Sequence, residues 1–404
     1  MILYTYNLFS HLQECFNMDK YMSRGVSSQK EDVHNAVDHL DRGVFPGAFC
    51  KVIPDYLSGD GRYCNIMHAD GAGTKSSLAY IYYKETGDLS VWSGIAMDSI
   101  VMNTDDLICV GVDTPILLSS TIGRNAKLVG GEVIKELINA NEEICQFFTD
   151  NGVPMYMTGG ETADVGDLTR TIIVDTTAVT RIERDKIITC ENVACGDVIV
   201  ALSSFGQATF EKQYNSGMGS NGLTSSRHDL LCSEYRTKYP ESFDNSMDES
   251  ISYCGKFKIT DTVPELPLNI GKAILSPTRT YAFVIKDILS EYRSKIHGIV
   301  HCSGGGQTKC KKFGRNVKYV KDNLFEIPPF FKLIHDTTGT DYREMYQVFN
   351  MGHRMELYTD AKTAEQVIAI AAKYNIDAKI VGHVESNENG NAVEITSPNG
   401  IIKY

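Results

Sequence analysis

The chain has 404 residues, 42% of them hydrophobic, and carries 51 acidic against 39 basic residues, a net charge of −12. This length exceeds what one hydrophobic core usually serves, so we expect two domains. The acidic balance, interrupted by one short basic stretch at 309–315, argues against nucleic acid as a partner. Because the net charge repels anions at long range, a phosphate site would need local cations, backbone N–H groups or bound metal.

Cysteine usage and the first residues predict a cytoplasmic protein. The 11 cysteines are odd in number and scattered, without a C-x-x-C pair, as is typical of reduced chains. The first nine residues lack the basic region and the cleavage site of a signal peptide. No run of 18 apolar residues occurs, so we expect no membrane segment.

The first quarter of the chain predicts an extension followed by helix and strand. Residues 1–20 have an aperiodic apolar pattern and are interpreted as an N-terminal extension. Over 29–40, apolar residues recur at helical spacing, which predicts an amphipathic helix. Residues 64–69 predict a strand that ends at a glycine turn, 71–73, and 75–83 predict the helix behind it.

A second predicted helix, over 94–107, carries three aspartates among apolar residues. Asp98 and Asp106 are eight positions apart, which leaves their side chains about 80° apart around a helix axis. Both carboxylates could therefore face the same side, two turns apart.

The rest of the chain alternates helices and strands, and the overall class is α/β (α+β). The charged run 181–186 is the best domain boundary, and the polar stretch 233–252 is interpreted as an insertion. Helices are predicted over 131–149, 278–292 and 361–374, and strands over 153–157, 170–179, 197–202, 296–302, 355–358 and 378–384.

Three glycine runs carry the chemistry: His68–Lys75, Thr158–Thr162 and His301–Gly306. Each joins flexible backbone to a carboxylate, a cation or a hydroxyl. Glycines allow backbone N–H groups to approach an anion, carboxylates bind hard divalent cations, and lysines or hydroxyls contact phosphate oxygens. Three such runs indicate nucleotide chemistry, although the Walker spacing G-x-x-x-x-G-K-[ST] is absent.

The runs resemble, in the same order, motifs of the phosphoribosylformylglycinamidine cyclo-ligase (aminoimidazole ribonucleotide synthetase) family. Six motifs match in register over roughly residues 20–385. They are D-G-V-G-T-K, present as Asp70–Lys75 with alanine for valine; the Asp and N-D-L of one helix, present as Asp98 and Asp105–Leu107; G-G-E-T-A, present as Gly159–Ala163; P-T-R-x-Y, present as Pro277–Tyr281; H-x-T-G-G-G, present as His301–Gly306 with serine for threonine; and F-N-M-G, present as Phe349–Gly352.

The chain departs from the family pattern in three side chains. Gly219 stands where the family's H-S-N-G-Y-S motif has its histidine, and Leu223 stands where it has its aromatic residue. Asp105 replaces the family's asparagine. With the loop histidine absent, His301 is our candidate for proton transfer.

The resemblance implies an ATP- and Mg²⁺-dependent enzyme that closes the imidazole ring of aminoimidazole ribonucleotide from formylglycinamidine ribonucleotide. It also implies a two-domain aminoimidazole ribonucleotide synthetase-like fold, divided here into an ATP-binding and dimerisation domain at 21–184 and an α/β domain at 185–404. The N-terminal domains are expected to pair in a homodimer. A small ribonucleotide is the expected partner, with no nucleic acid or membrane.

The same resemblance implies roles for individual residues. The catalytic set is Lys75, Asp106 and His301, and the metal ligands are Asp70, Asp98, Asp106 and Glu161. ATP contacts are expected from Asp70, Gly71, Gly73, Thr74, Lys75, Gly160 and Glu161, and substrate contacts from Ser220, Asn221, Gly222, Thr278, Arg279, Gly304, Gly305 and Gly306.

Two alternatives remain open from the sequence. One is another ATP-dependent member of the superfamily that acts on a different acceptor. The other is a non-catalytic paralogue that binds nucleotide and regulates a partner, which the missing histidine would allow. The chain retains the carboxylates and Lys75. This weighs against the second alternative, because a protein that only binds nucleotide does not need a complete set of metal ligands.

Overall fold

The computed structural model describes residues 20–27, 36, 37 and 39–404. The predicted N-terminal extension lies outside these residues, apart from its last position, and so does most of the helix predicted over 29–40. The first described helix, α1, is Lys20–Ser23. The rest of the described chain forms two mixed α/β units, each built on one sheet.

The first sheet has five strands in the order β1-β2-β5-β3-β4. Neighbouring strands are antiparallel except β3 and β4, which are parallel. Three helices accompany it: α2 (Lys75–Thr86), α3 (Val91–Cys109) and α4 (Gly131–Asp150). The strands are β1 (Ile53–Pro54), β2 (Tyr63–Gly71), β3 (Ile116–Arg124), β4 (Met155–Asp164) and β5 (Ile172–Glu183).

Within residues 39–404, helices cover one face of this sheet, and the other face has exposed side chains. Buried and exposed residues alternate along β3, as the two-residue period of a half-buried strand requires. Helix α3 is buried along almost its whole length because it contacts β2 and β5 on one side and the second sheet on the other. Its mainly apolar sequence, without a polar face, fits this central position.

The second sheet has seven strands in the order β12-β11-β8-β10-β6-β9-β7, antiparallel except for the β11–β8 pair. Helices α8 (Ala282–Tyr292) and α11 (Ala361–Lys373) pack against each other beside it. The strands are β6 (Val198–Ser203), β7 (Ile296–His301), β8 (Val317–Lys321), β9 (His353–Thr359), β10 (Ala378–Ser386), β11 (Ala392–Ser397) and β12 (Gly400–Lys403). Shorter helices are α5 (Leu223–Leu230), α6 (Glu234–Lys238), α7 (Ile270–Ile274), α9 (Pro329–Thr338) and α10 (Tyr342–Val348).

Two predicted elements need correction. β4 does not stop before the second glycine run but continues through Gly159–Glu161, because β3 offers it a parallel partner along this length. The helix predicted from residue 278 begins at Ala282, and the backbone N–H groups of Thr278 and Tyr281 before it donate to aspartate side chains of α3.

The polar stretch 233–252 is folded rather than a free loop. It contains α6 and a short 3₁₀ helix, and it packs against α2. Tyr80 donates to Glu241 at 2.6 Å, and Tyr239 donates to Glu85 at 2.8 Å. The stretch therefore connects the second half of the chain to the first.

The mixed α/β class predicted from the sequence is confirmed. The first sheet ends at Glu183 and the second begins at Val198, on either side of the predicted boundary between residues 184 and 185. None of the helices in the described part of the chain combines the length and the apolar character needed to span a bilayer.

Candidate active site

The first glycine run forms the loop between β2 and α2. β2 ends at Gly71, and Gly73 adopts a left-handed φ of +55° with open space around its Cα. Thr74 is exposed, and its hydroxyl does not cap α2. Asp175 of β5 packs against Gly71, where a Cβ atom would overlap its carboxylate. The loop is therefore open at Gly73 and Thr74 but admits only glycine at position 71.

Lys75 and Asp98 form a fully buried ion pair. Lys75 Nζ donates to Asp98 Oδ1 at 2.9 Å and to the carbonyl of Ser276 at 2.6 Å, and the N–H of Thr278 donates to the same carboxylate oxygen at 2.7 Å. Burial lowers the pKa of Lys75, and the charge of Asp98 opposes this effect. The pair ties the first glycine run to the second half of the chain, and the predicted phosphate contact of Lys75 stays a prediction.

Asp106 accepts hydrogen bonds from two histidines. Its Oδ1 lies 2.7 Å from His301 Nδ1, and its Oδ2 lies 3.3 Å from His68 Nε2. Burial favours the neutral acid, but the hydrogen bonds from His301 and His68 hold the pKa of Asp106 below its usual range. The carboxylate therefore stays ionised at neutral pH and joins β7 of the second sheet to β2 of the first.

Asn103 determines the protonation of His68. Its Nδ2 donates to three backbone carbonyls at 2.9–3.2 Å, so its Oδ1 is the atom 2.9 Å from His68 Nδ1. His68 thus donates from Nδ1 to an amide oxygen and from Nε2 to a carboxylate, which requires the imidazolium form. Burial opposes that charge, yet the hydrogen bonds to Asp106 and Asn103 raise the pKa of His68.

His301 has the opposite protonation. It is fully buried, and its Nε2 accepts from Arg354 at 3.1 Å, so Nδ1 holds the hydrogen that Asp106 accepts. Burial lowers the pKa of His301, the charge of Asp106 opposes it, and the cations of Arg354 and Lys309 add to the lowering. Both ring nitrogens are engaged, so proton transfer by His301 requires Arg354 to release Nε2. The predicted role of His301 stays a prediction.

Arg354 fills the space beside Gly219, where the family motif has its histidine. Gly219 has a φ of +68°, and a Cβ atom there would lie 2.6 Å from Arg354 Nη1. Arg354 is buried and also donates to the carbonyl of Arg279 at 3.3 Å. The guanidinium of Arg354 thus occupies the space that a side chain at position 219 would need, and this packing requires glycine there.

Asp105, which replaces the family's asparagine, precedes Asp106 on α3 and contacts the segment at 280–281. It accepts from the hydroxyl of Thr280 at 2.8 Å and from the N–H of Tyr281 at 3.2 Å. Burial raises the pKa of Asp105 to about 7. A protonated carboxyl group has nearly the shape of the asparagine amide, so the substitution preserves the local packing.

Two loops that were predicted to bind the ribonucleotide face each other. Ser220 Oγ lies 2.9 Å from Thr278 Oγ1. Asn221 Nδ2 lies 3.9 Å from the position that a Cβ atom on Gly304 would take. The structure therefore brings the loop before α5 together with the third glycine run.

Gly222 and Gly306 of these loops are required by close packing, whereas Gly305 is favoured by its backbone conformation alone. Gly222 has a φ of +74° and begins α5, and a Cβ atom there would overlap the ring of Phe349. Gly305 and Gly306 have φ values of +97° and +50°, and a Cβ atom on Gly306 would lie 2.5 Å from the carbonyl oxygen of Phe349. Only Gly304 and Gly305 of this run leave open space beside them.

Arg279 is held by partners within the chain. Its Nε and Nη2 donate to both carboxylate oxygens of Glu211 at 3.0 and 2.5 Å. Its Nη1 donates to the carbonyls of Ser203 and Phe205 at 3.1 and 2.8 Å. Such a bidentate pair anchors the segment that follows Pro277, and the predicted phosphate contact of Arg279 stays a prediction.

Glu161 lies apart from the other predicted metal ligands. It pairs with Thr121, Thr121 pairs with Asp175, and Asp175 pairs with Gly71. Three strand spacings, about 14 Å, therefore separate Glu161 from the end of β2. The expectation that all four carboxylates converge on one ion is corrected for a single chain, because two strands lie between β2 and β4.

The remaining carboxylates fit a hard cation to different degrees. Asp98 and Asp106 already have cationic or N–H partners on the oxygens described above, although Asp98 Oδ2 is buried without a hydrogen bond. Asp70 is partly exposed and lies directly before the loop. Burial alone raises the pKa of Asp175, and no cation pairs with it within the described residues. A divalent ion would relieve that penalty, so Asp70 and Asp175 fit it best.

Five residues of this site were missed from the sequence: His68, Asn103, Asp175, Arg354 and Lys309. His68 is the first residue of the first glycine run, and Arg354 lies two positions after the F-N-M-G motif, so both had a usable signal. Asn103 and Asp175 lie inside a predicted helix and strand, where local pattern gives no sign of their partners. Lys309 was visible only as part of a basic stretch.

Comparison with known proteins agrees with this architecture. Residues 50–182 match the N-terminal domain of AIR synthase related protein, and residues 194–394 match its C-terminal domain. The chain belongs to the AIR synthase related family. The two matched domains contain the two sheets, and the site described above lies where they meet.

Named relatives and solved structures extend the match. The chain is 28% identical, over 85% of its length and 84% of the relative, to phosphoribosylformylglycinamidine cyclo-ligase of Methanocaldococcus jannaschii. A crystal structure of the HypE–HypF complex shares the fold at a TM-score of 0.52 and 13% identity, covering 93% of this chain and 98% of that one. The chain spans only 44% of phosphoribosylformylglycinamidine synthase II from Thermotoga maritima, with a TM-score of 0.47 and 13% identity.

Proposed function

We propose that this protein is an ATP-dependent phosphoribosylformylglycinamidine cyclo-ligase, which converts formylglycinamidine ribonucleotide to aminoimidazole ribonucleotide. The observation that carries the proposal is the match to a cyclo-ligase along most of both chains. The site supports the proposal, because glycine loops from both halves of the chain lie near ionised Asp106 and protonated His68.

The proposed reaction needs phosphoryl transfer followed by ring closure. The γ-phosphoryl group of ATP moves to the formyl oxygen of the substrate, the amidine nitrogen attacks that carbon, and inorganic phosphate leaves. Such transfer asks the protein mainly to align the reactants and to neutralise charge. Residues 73–74 and 304–305 offer open backbone for the phosphates.

We assign the nucleotide to the loop Gly71–Thr74, with Asp70 and Asp175 as the carboxylates that hold Mg²⁺. When bound, the ion neutralises phosphate charge and orients the transferred group. Within one chain, Gly160 and Glu161 are too far from this loop to hold the same ion. Their predicted ATP contact therefore requires a nucleotide that reaches across the sheet or a second subunit.

Lys75, Asp106 and His301 act in this proposal as positioning residues. Lys75 holds Asp98 and, through it, the segment at Thr278. Asp106 holds His68 as a cation and His301 as a neutral ring across the junction. The charge at His68, three positions before the nucleotide loop, balances the charge of Asp106.

A homodimer is proposed through the uncovered face of the first sheet. One row across that face contains Met67, Val179, Leu117 and Tyr156 on neighbouring strands. Met67 is 67% exposed, Leu117 45% and Tyr156 52%. Apolar residues in a continuous exposed row are typical of protein interfaces, and a second copy would cover them.

We place the enzyme in the cytoplasm. The cysteines within the described residues are all free thiols, and most of them are buried. A chain with many unpaired thiols fits a reducing compartment. A mass measurement of thiol labelling after unfolding tests this, since any disulfide in protein isolated from its own cells would contradict it.

The function is tested by ADP release from ATP and Mg²⁺ in the presence of formylglycinamidine ribonucleotide, with product formation followed separately. Turnover with this substrate supports the proposal. ATP hydrolysis only with another acceptor would assign a different reaction of the superfamily. Tight ATP binding without turnover would identify a regulatory paralogue.

A further inference from the structure

Three cations of the site are occupied by partners within the chain. Lys75 pairs with Asp98, and Arg279 forms a bidentate ion pair with Glu211. Arg354 donates to His301 and to a backbone carbonyl. A protein of net charge −12 still needs a local cation to hold a phosphate dianion.

Lys309 is a cation beside the open glycines that has no such partner. It is partly buried, and its side chain runs past Gly305, where a Cβ atom would lie 3.8 to 3.9 Å from Lys309 carbons. Within the described part of the chain, its ammonium has a ring contact, 5.3 Å from the centroid of Phe49, and no ion pair or hydrogen bond. Its charge is therefore available to an anion.

Asn221 is the second unpartnered group at this place. It is partly buried, and its amide has no hydrogen bond to any described residue. The amide lies 3.9 Å from where a Cβ atom on Gly304 would be. Asn221 and Lys309 thus flank the two glycines of the run that have open space, and a polar amide and an ammonium suit phosphate oxygens.

The nearby charges do not cancel that of Lys309. Asp106, the ionised carboxylate of the site, is already balanced by His68 and by the His301–Arg354 pair. Lys309 is close enough to His301 to contribute to lowering its pKa. The charge of Lys309 is therefore within electrostatic reach of His301.

We propose that Lys309, with Asn221 opposite it, binds the phosphate monoester of the ribonucleotide substrate across Gly304 and Gly305. This inference rests on the proposed function for the identity of the substrate, but the phosphate contact itself does not depend on turnover. Lys309 supplies the charge, and Asn221 and the open backbone supply oriented N–H groups.

The test compares Lys309→Gln with Lys309→Arg and with Lys311→Gln, an exposed lysine of the same 3₁₀ helix. Calorimetry measures binding of ribose 5-phosphate to the full chain. We expect Lys309→Gln to weaken binding about 10- to 100-fold, the cost of one charged hydrogen bond, while Lys309→Arg and Lys311→Gln bind within about threefold of wild type. Unfolding midpoints verify that all variants fold.

Kinetics provide the second readout. With active enzyme, Lys309→Gln should raise KM for formylglycinamidine ribonucleotide by the same factor and leave KM for ATP unchanged. The inference is overturned if the wild type does not bind ribose 5-phosphate, if Lys309→Gln binds it normally, if Lys311→Gln weakens it equally, or if only KM for ATP rises. Lys309-dependent binding without turnover would refute the proposed function and leave the phosphate contact standing.

Gly304→Ala gives an independent variant. Its methyl group would meet only Asn221 Nδ2, at 3.9 Å, so the backbone should accept it. The methyl group would nevertheless occupy the space assigned to the phosphate. We expect weakened ribose 5-phosphate binding with an unchanged unfolding midpoint, and normal binding would contradict the assigned position.

Discussion

At the scale of single residues, hydrogen bonds decide which groups carry charge. His68 and His301 contact the same carboxylate, yet His68 is an imidazolium and His301 is neutral. The difference follows from their second partners, the amide oxygen of Asn103 and the guanidinium of Arg354. An acceptor requires a proton on the ring, and a donor requires its absence.

Asp106→Asn tests this arrangement. The amide has one acceptor oxygen for two imidazole donors and no charge, so we expect the pKa of His68 to fall and kcat/KM to decrease by about 100-fold or more. Imidazole NMR titration and steady-state kinetics measure the two effects. Asp113→Asn, which removes a partner of Arg293 outside the site, serves as the control. Unchanged kinetics would remove Asp106 from the machinery.

His228 makes a separate prediction for stability against pH. It is fully buried and accepts from the N–H of Tyr253 at 3.0 Å, and burial, together with the cations of Arg227 and Arg24, lowers its pKa to about 2. The unfolded chain binds a proton there below about pH 6.5, so this contribution to stability is present above that pH and is lost as pH falls toward 2.

His228→Asn keeps an acceptor for Tyr253 and removes the titrating group. We expect the free energy of unfolding of this variant to depend less on pH between 6 and 4, by up to about 1.4 kcal/mol per pH unit. Denaturant unfolding at several pH values measures the slope. His335→Asn, at a partly exposed histidine of α9, should keep the wild-type slope. Equal slopes for wild type and His228→Asn would contradict the prediction.

At the scale of elements, glycines mark where a helix or loop approaches its neighbour too closely for a side chain. Gly222 combines a left-handed φ with contact to Phe349, whereas Gly131, at the start of α4, has open space around it. Glycine is thus required by close packing at the start of α5, whereas the start of α4 has room for a larger side chain. Sequence pattern alone does not separate the two cases.

Gly222→Ala should destabilise the protein by about 2–5 kcal/mol, because backbone strain and overlap with the Phe349 ring act together. Gly131→Ala should change the free energy of unfolding by less than about 1 kcal/mol, and in the stabilising direction. Chemical denaturation of both variants measures the difference. Similar values for the two alanines would show that α5 can move away from Phe349.

At the scale of the whole molecule, buried charged groups connect the two sheets, and an apolar row is exposed on the first sheet. The Lys75–Asp98 pair and the Asp106 bridge each join groups from both halves of the chain. Removal of one partner of such a pair leaves an uncompensated buried charge, which is why these contacts specify the relative arrangement of the sheets. Among the residues that the structure describes, nothing covers the apolar row on the first sheet.

Leu117→Arg tests the proposed dimer. A guanidinium in the centre of an apolar interface lacks a partner, so we expect the mass measured by light scattering to fall from two chains to one. Ile401→Arg, at a residue of β12 that is 62% exposed, should leave the mass unchanged. A wild-type protein that is monomeric at micromolar concentration would refute the dimer.

The sequence by itself determined the elements and the order of the motifs. Periodicity and turn residues are local, so the strands around 64–69 and 170–179 and the helices around 94–107 and 361–374 could be predicted. The glycine runs were recognised for the same reason, and they identified the family that both matched domains bear out.

Only the tertiary structure decided which charged groups meet. Asp106 and His301 are 195 positions apart, and Lys75 and Ser276 are 201 apart, so no local pattern contains these pairs. The structure directs Lys75 and Arg279 to internal carboxylates and leaves Lys309 available. It also separates Glu161 from Asp70 by two strands, since strand order is set by long-range pairing. The energy of a buried charge depends on its neighbours in space, and the chain must fold before those neighbours exist.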